Sequence, residues 1–384
     1  MLLRTWIIAS FFCLFVVIRT GHCAEPYSWQ KPHAKALPQG GLEWAPESYV
    51  FPGGGRIFYI DYENGNDTAS GTKDAPWKHH PWDPAATGAA KATKGIATYV
   101  FKGGVVYRGR MVASESGQPG NPIHLCSEPG WGAGAAEIYG SKAIVGGWKK
   151  CSGEEDAPGI PQPQEVWYFD AGKGFDTDKG PKQFSCMWQL NPDGAAVRLH
   201  LARDPNWSES NPNDPTKDWY RWEAFNGYMN SGRLQDMRWK GKPENFFDGA
   251  VLYTQHANLM GTPHRETIKK FDPALSAFSV SSPGGASYNR QGGTGKQFKK
   301  MTTPVGYFIE RVAAFLDAPG EYYQAAEGPL AGRVWVRPAG GVDPNTVRFE
   351  VGVNRFPIEI RDRSHITISG LTFRYNDEDD GTYG

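Results

Sequence analysis

Trp207, Trp219, Tyr220 and Trp222 lie close together in the chain, with Arg203, Asn206 and Arg221 beside them. Indole and phenol rings stack on the C–H faces of sugars while amides and guanidinium groups bond the hydroxyls. Arg203, Asn206, Trp207, Trp219, Tyr220 and Trp222 are therefore candidate glycan contacts, and an aromatic core is an equally good account of the same residues. Asp377, Glu378, Asp379 and Asp380 form an acidic run just after a β-like segment. Hydrolysis of a glycosidic bond needs one carboxylic acid and one carboxylate, so these four are the late catalytic candidates, although clustered charge also decorates solvated turns. Asp61, Asn64, Asn66 and Asp67, and again Asp377, Asp379 and Asp380, offer oxygens of the kind Ca²⁺ takes, without the loop of an EF-hand. Asp and Asn equally serve turn geometry, and no metal site is assigned. His200, His256, His264 and His365 show no partner spacing for a metal or a nucleophile pair, and are expected to be structural.

Composition narrows the partners. The 41 basic residues balance the 41 acidic ones, so nothing draws this surface to nucleic acid or anionic lipid. No Gly-rich phosphate cradle stands between a strand and a helix. At the N-terminus, Arg4, an apolar run from Trp6 to Ile18, and then Arg19 to Cys23 follow in signal-peptide order. This run of thirteen residues, apolar but for Ser10, falls short of the roughly 20 that span a bilayer. Cleavage near Cys23 or Ala24 is expected, leaving a protein that is extracellular or periplasmic, carries no membrane segment and acts as a monomer. Cys126, Cys151 and Cys186 would remain, at most one bridge and more readily free buried thiols.

The elements that must position these residues read as short strands. With 47 Gly, 29 Pro and 13% aromatic residues, the chain is turn-rich and expected to be all-β. Residues 24–50 form an extended leader. Arg56–Asp61 is the first strand, closed by the turn Asn64-Gly65-Asn66-Asp67, and runs at Ala97–Phe101, Val105–Tyr107, Ile123–Cys126 and Ala136–Tyr139 follow. Residues 147–300 change character, with a Gly/Ser-rich stretch at 281–295 that suits a mobile loop within an inserted β-rich subdomain. Strand runs resume at Arg333–Val336, Val347–Val351, Ile358–Ile360 and Ile366–Ile368, with a Gly-marked turn into Leu371–Phe373. Val305–Leu316 fits one helix or a strand pair.

Five segments carry a resemblance. They are Tyr59-Ile60-Asp61 through Trp77; Gly103–Gly109 with Gly117 and Asn121–Ile123; Leu201–Trp207; Leu316–Tyr323 leading to Val334–Pro338; and Ser364–Phe373. In this order they resemble secreted right-handed parallel β-helix proteins of the pectate-lyase-like superfamily, particularly their glycoside-hydrolase-like members. The resemblance implies an N-terminal cap and first coil over 51–146, an inserted β-domain over 147–300, and return strands with the first regular coils over 301–384. Stacked coils bury their apolar faces only against one another, so the polypeptide is expected to continue past this β-helix opening, and the resembling hydrolases carry their catalytic carboxylates on those later coils. The expected activity is glycoside hydrolysis of a complex polysaccharide with no cofactor. The rivals are β-elimination from a uronic-acid polymer, with Ca²⁺ or basic residues neutralising the carboxylate, and a non-catalytic, glycan-displaying surface protein.

Overall fold

Alternating apolar side chains fix the first strands and their partners. In the computed structural model, Ile57–Ile60, Thr98–Gly103, Ile123–Gly132 and Ile366–Ser369 form one wholly parallel sheet. Val106–Arg108, Ala136–Tyr139 and Leu371–Arg374 form a second, and Met111–Val112 pairs in parallel with Ile358–Glu359. Tyr99, Phe101, Ile123, Leu125, Ala136 and Ile138, each two residues from the next inward position on its strand, meet in one buried core, which Ile366 and Leu371 extend. The structure describes residues 34–39, 42–44, 50–52, 55–172, 184–208, 216–228, 231–255, 263–280, 297–300 and 306–377. The expected signal segment, most of the leader and the stretch 281–295 lie outside them.

Close backbone approach explains two of the glycines. A β-carbon on Gly132, whose φ is +86°, would sit 2.0 Å from the Gly103 carbonyl oxygen of the neighbouring strand. At Gly65 it would sit 2.2 Å from the carbonyl oxygen of Trp77. Only glycine fits either place.

Between residues 141 and 352 the sheets are mostly antiparallel. Among the described residues an eight-stranded sheet and two five-stranded sheets fill this stretch, over two further cores. One is aromatic-rich, built on Trp222, Trp239, Phe247, Phe278 and Tyr307; the other gathers Met187, Leu199, Tyr322, Val334 and Phe349. The all-β expectation holds, with short helical turns between strands: besides 3₁₀ turns, Gly88–Ala92 makes a single α-helical turn, too short for any periodicity to mark. Val305–Leu316 resolves, from residue 306 on, into the strand Gly306–Glu310 and a 3₁₀ turn at Ala313–Phe315. Cys126, Cys151 and Cys186 are all buried, and none of them is in a disulfide. The chain divides into two units, Met1–Val50 and Phe51–Gly384. Within the first, Ala34–Ala36 pairs antiparallel with Leu42–Trp44.

A buried ion pair ties the second parallel sheet to the antiparallel part. Arg108 donates from Nη2 and Nη1 to Glu350 Oε1 and Oε2 at 2.7 and 2.8 Å, and Ser141 Oγ adds a third bond at 2.7 Å. Glu350 is wholly buried, and its carboxylate is held by this fork, by Ser141 and by Arg348 at 3.1 Å.

Candidate functional site

Strand alternation builds one wall of a cleft. Along Ala196–Leu201 the side chains of Leu199 and Leu201 are buried, while Arg198 is exposed and His200 half-buried on the opposite face. The other wall comes from three antiparallel strands, Gly306–Glu310, Val251–Gln255 and Pro263–Thr267. Their register sets Arg265, Tyr253 and Phe308 side by side in one row, since Tyr253 is the cross-strand neighbour of both. Phe308 stacks on Tyr253 at 4.5 Å, and Arg265 Nε donates to the Tyr253 hydroxyl at 2.9 Å. Burial, with Glu310 nearby, pushes the Tyr253 phenol up to about 12, so it stays a neutral hydroxyl.

The cleft between these walls opens to solvent, and with that open space included its volume is about 440 Å³. Arg198, Arg265 and Arg311 line it together with Glu310 and Ser185. Arg198 Nη2 lies 3.6 Å from the Cys186 thiol and Arg311 Nη2 lies 3.5 Å from Ser185 Oγ. Asp377 reaches the same place: its Oδ1 accepts the Ser185 amide at 3.3 Å.

Beside the cleft stands an aromatic shelf. The Trp207 indole lies nearly parallel to the His200 ring at 4.9 Å, yet 42% of the residue stays open to solvent. Arg203 lies beneath, 3.7 Å from the centre of the Phe308 ring and 5.5 Å from that of Trp207, with Nε donating to the Pro205 carbonyl. Burial presses the Arg203 guanidinium down from its ordinary range, and Glu310 and Glu321 act the other way.

Glu321 is the unusual acid of this region. It pairs in register with His200, is 3% exposed, and accepts amides of Asp317 and Ala318 at Oε2. Burial, reinforced by the Asp317 carboxylate, raises its pKa to about 8. Asp204 is raised in the same sense by burial, against the hydrogen bond it receives from the Tyr220 hydroxyl.

The candidates read from the sequence therefore separate. Trp207, Asn206 and Arg203 come together at the shelf, with Trp207 and Asn206 exposed. Trp219 meets Phe308 edge-on at 4.7 Å. Tyr220 faces inward, held by Asp204 and covered by the Arg238 guanidinium at 3.7 Å. Trp222 belongs to the core: it is 1% exposed, stacks on Tyr307 at 3.6 Å and donates Nε1 to Thr254 Oγ1, so no sugar reaches it. Of the acidic run, Asp377 sits beside the cleft, and Glu378, Asp379 and Asp380 lie outside the described residues.

Of the oxygens weighed for Ca²⁺, those of Asp61 and Asp67 are spent on the fold. Burial opposes ionisation of Asp61, but Lys102 Nζ at 2.7 Å and the amides of Glu63 and Asn64 hold its pKa low. Asp67 likewise binds the amides of Lys78, His79 and Thr87 and the His79 ring. Among the described residues no cluster of three or more His, Cys, Asp or Glu is placed to hold a metal ion. Arg198, Arg265, Glu310 and Arg311 were not found by sequence reasoning. Only the alternation of Arg198 with His200 offered a local signal; the rest converge from strands far apart in the chain.

No protein-family model matches this chain, and no curated protein sequence does. Among solved structures it is similar to one described as a glycoside hydrolase, with a TM-score of 0.56 and 15% identity over 84% of this chain. The likeness covers 51% of that structure, so the chain spans about half its length. At this identity the similarity shows the fold, which is glycoside-hydrolase-like.

Proposed function

We propose that the chain is a carbohydrate-active part of an exported glycoside hydrolase and that it holds polysaccharide on the Trp207 shelf beside the arginine-lined cleft. The observation that carries this reading is the open indole of Trp207, stacked on a residue that lines a polar cleft, where an apolar ring and hydrogen-bonding groups can serve one sugar together. Hydrolysis is proposed on likeness of fold, and export on the order of residues 4–23. The three wholly parallel sheets, each extended by residues 358–374 onto strands before residue 140, support reading those segments as coils of a parallel β-helix into which residues 141–352 are inserted.

The test is a polysaccharide panel, scored for binding and for release of reducing ends, with the chain and its Trp207→Ala variant. Removing the indole should weaken binding roughly tenfold, about 1.4 kcal/mol, with no loss of fold because the side chain is partly exposed. Binding unchanged in the variant would remove the shelf from the site. Release of an unsaturated, ultraviolet-absorbing product would replace hydrolysis by elimination, and binding without any cleavage would favour a display role.

A further inference from the structure

We propose that Trp188 and Tyr375 form a second sugar platform, so that the ligand is an extended glycan chain laid from the Trp207 shelf towards the end of the strand Leu371–Arg374. This rests on the glycan-binding reading above and goes beyond it by setting the length of glycan that the site takes.

Register joins the two platforms. His200, on which the Trp207 indole stacks, and Arg198 alternate onto the same face of Ala196–Leu201. The strand Met187–Leu190 pairs with this one so that Trp188 is the cross-strand neighbour of Arg198, and such neighbours share a face. Met187 and Gln189 are buried on the other side, which leaves Trp188 half-buried on the face of His200. Two residues along one strand and one strand across separate His200 from Trp188, a diagonal of about 8 Å on an ordinary pleat. A sugar stacked on Trp207 needs neighbours in its own chain to cover that step.

Tyr375 completes the platform from the parallel part. Its ring lies 5.2 Å from that of Trp188 and meets Tyr139 edge-on at 4.8 Å, and it too is half-buried. The backbone of Tyr375 is left-handed, with φ at +56°, a conformation that is costly for a bulky side chain. Bonds on either side hold it there: the Gly140 amide donates to the Arg374 carbonyl at 3.1 Å, and the Asp377 amide to the Asn354 carbonyl at 3.0 Å. A ring that merely filled space between two sheets would need no such turn; this one is brought beside a half-open indole. Arg374 is exposed, reaches the Tyr375 side chain and lies 3.3 Å from Glu137. A guanidinium and a carboxylate thus stand where they can meet the hydroxyls of a sugar whose C–H face rests on the rings. The same segment reaches the cleft beside the shelf, since Asp377 Oδ1 accepts the amide of Ser185, which lines it.

Calorimetric titration of the 384-residue chain with oligosaccharide ladders of glucan, xylan, mannan, galactan and pectin, from disaccharide to hexasaccharide, tests the assignment. In at least one ladder the hexasaccharide should bind about tenfold tighter than the disaccharide, because only the longer chain engages both platforms. That advantage should fall below about twofold in Trp207→Ala and in Trp188→Ala alike. Tyr375→Gly should lose it too, and glycine adopts the left-handed turn freely, so this variant keeps its fold even where Trp188→Ala does not. A length advantage that survives either Trp188→Ala or Tyr375→Gly overturns the proposal. So does equal affinity along every ladder, or affinity that appears only in the parent polymers, and each of these outcomes leaves the Trp207 shelf standing. Binding of none of the ladders or their parent polysaccharides sinks this proposal and the glycan reading together.

Discussion

Replacing Glu321 by Gln isolates the energetics of the acid buried beside the shelf. In the folded protein Glu321 keeps its proton to about pH 8, whereas its ordinary value is 4.5. Between these values unfolding releases a proton, so the wild-type protein loses stability as pH rises from 4.5 to 8, and the loss is complete above that. At about 1.4 kcal/mol for each tenfold step, the cost is about 1 kcal/mol at pH 5 and about 4 kcal/mol at pH 8. Glutamine has the same shape, can accept the amides of Asp317 and Ala318 through its carbonyl, and never ionises. Glu321→Gln should therefore gain about 3 kcal/mol on wild type between pH 5 and pH 8. Urea titrations of both proteins at half-unit intervals measure it, and taking the difference cancels every other titrating group. A flat difference across this range would refute the argument that burial holds Glu321 neutral.

Two further substitutions probe the frame. Trp222→Ala should cost about 3–5 kcal/mol, the range for a large aromatic removed from a core, and glycan affinity measured on the fraction that remains folded should be unchanged. Glu350→Gln should cost about 3–5 kcal/mol in denaturant unfolding, because it leaves the Arg108 guanidinium without its buried counter-charge; an unaffected midpoint would show that the fork contributes nothing.

How much of this was legible in the sequence depended on the range of the forces involved. Ala136–Tyr139 and Ile366–Ser369 follow the alternating or β-branched patterns that a buried strand face imposes locally. The turn at Asp61 to Asp67 was legible as a turn because its side chains bond amides a few residues away. The fate of Trp222 was not, because it is decided by Tyr307, which arrives on another strand of the same core. The arginine cleft was equally hidden: register alone brings Arg265 beside Tyr253 and Phe308, and register is set by cross-strand packing that no spacing within one segment encodes. The raised pKa of Glu321 likewise follows from burial contributed by distant strands.

The meeting of the chain with itself at Gly140 has a consequence for the order of assembly. The amides of Val353 and Asn354 both donate to the Gly140 carbonyl, at 2.9 and 2.8 Å, and Ser141–Val145 pairs with Arg348–Gly352 just beyond. Closing so long a loop without help carries an entropic cost on the order of 5 kcal/mol beyond the fixed term. Collapse of residues 141–352 brings the two ends together and lowers that cost, so the strands at Ile366–Ser369 and Leu371–Arg374 should dock late, on a template already waiting for them. Pulse-labelled hydrogen exchange should find the amides of Arg348–Gly352 protected before those of Ile366–Ser369. The opposite order would mean that the parallel strands recruit their distant partners unaided.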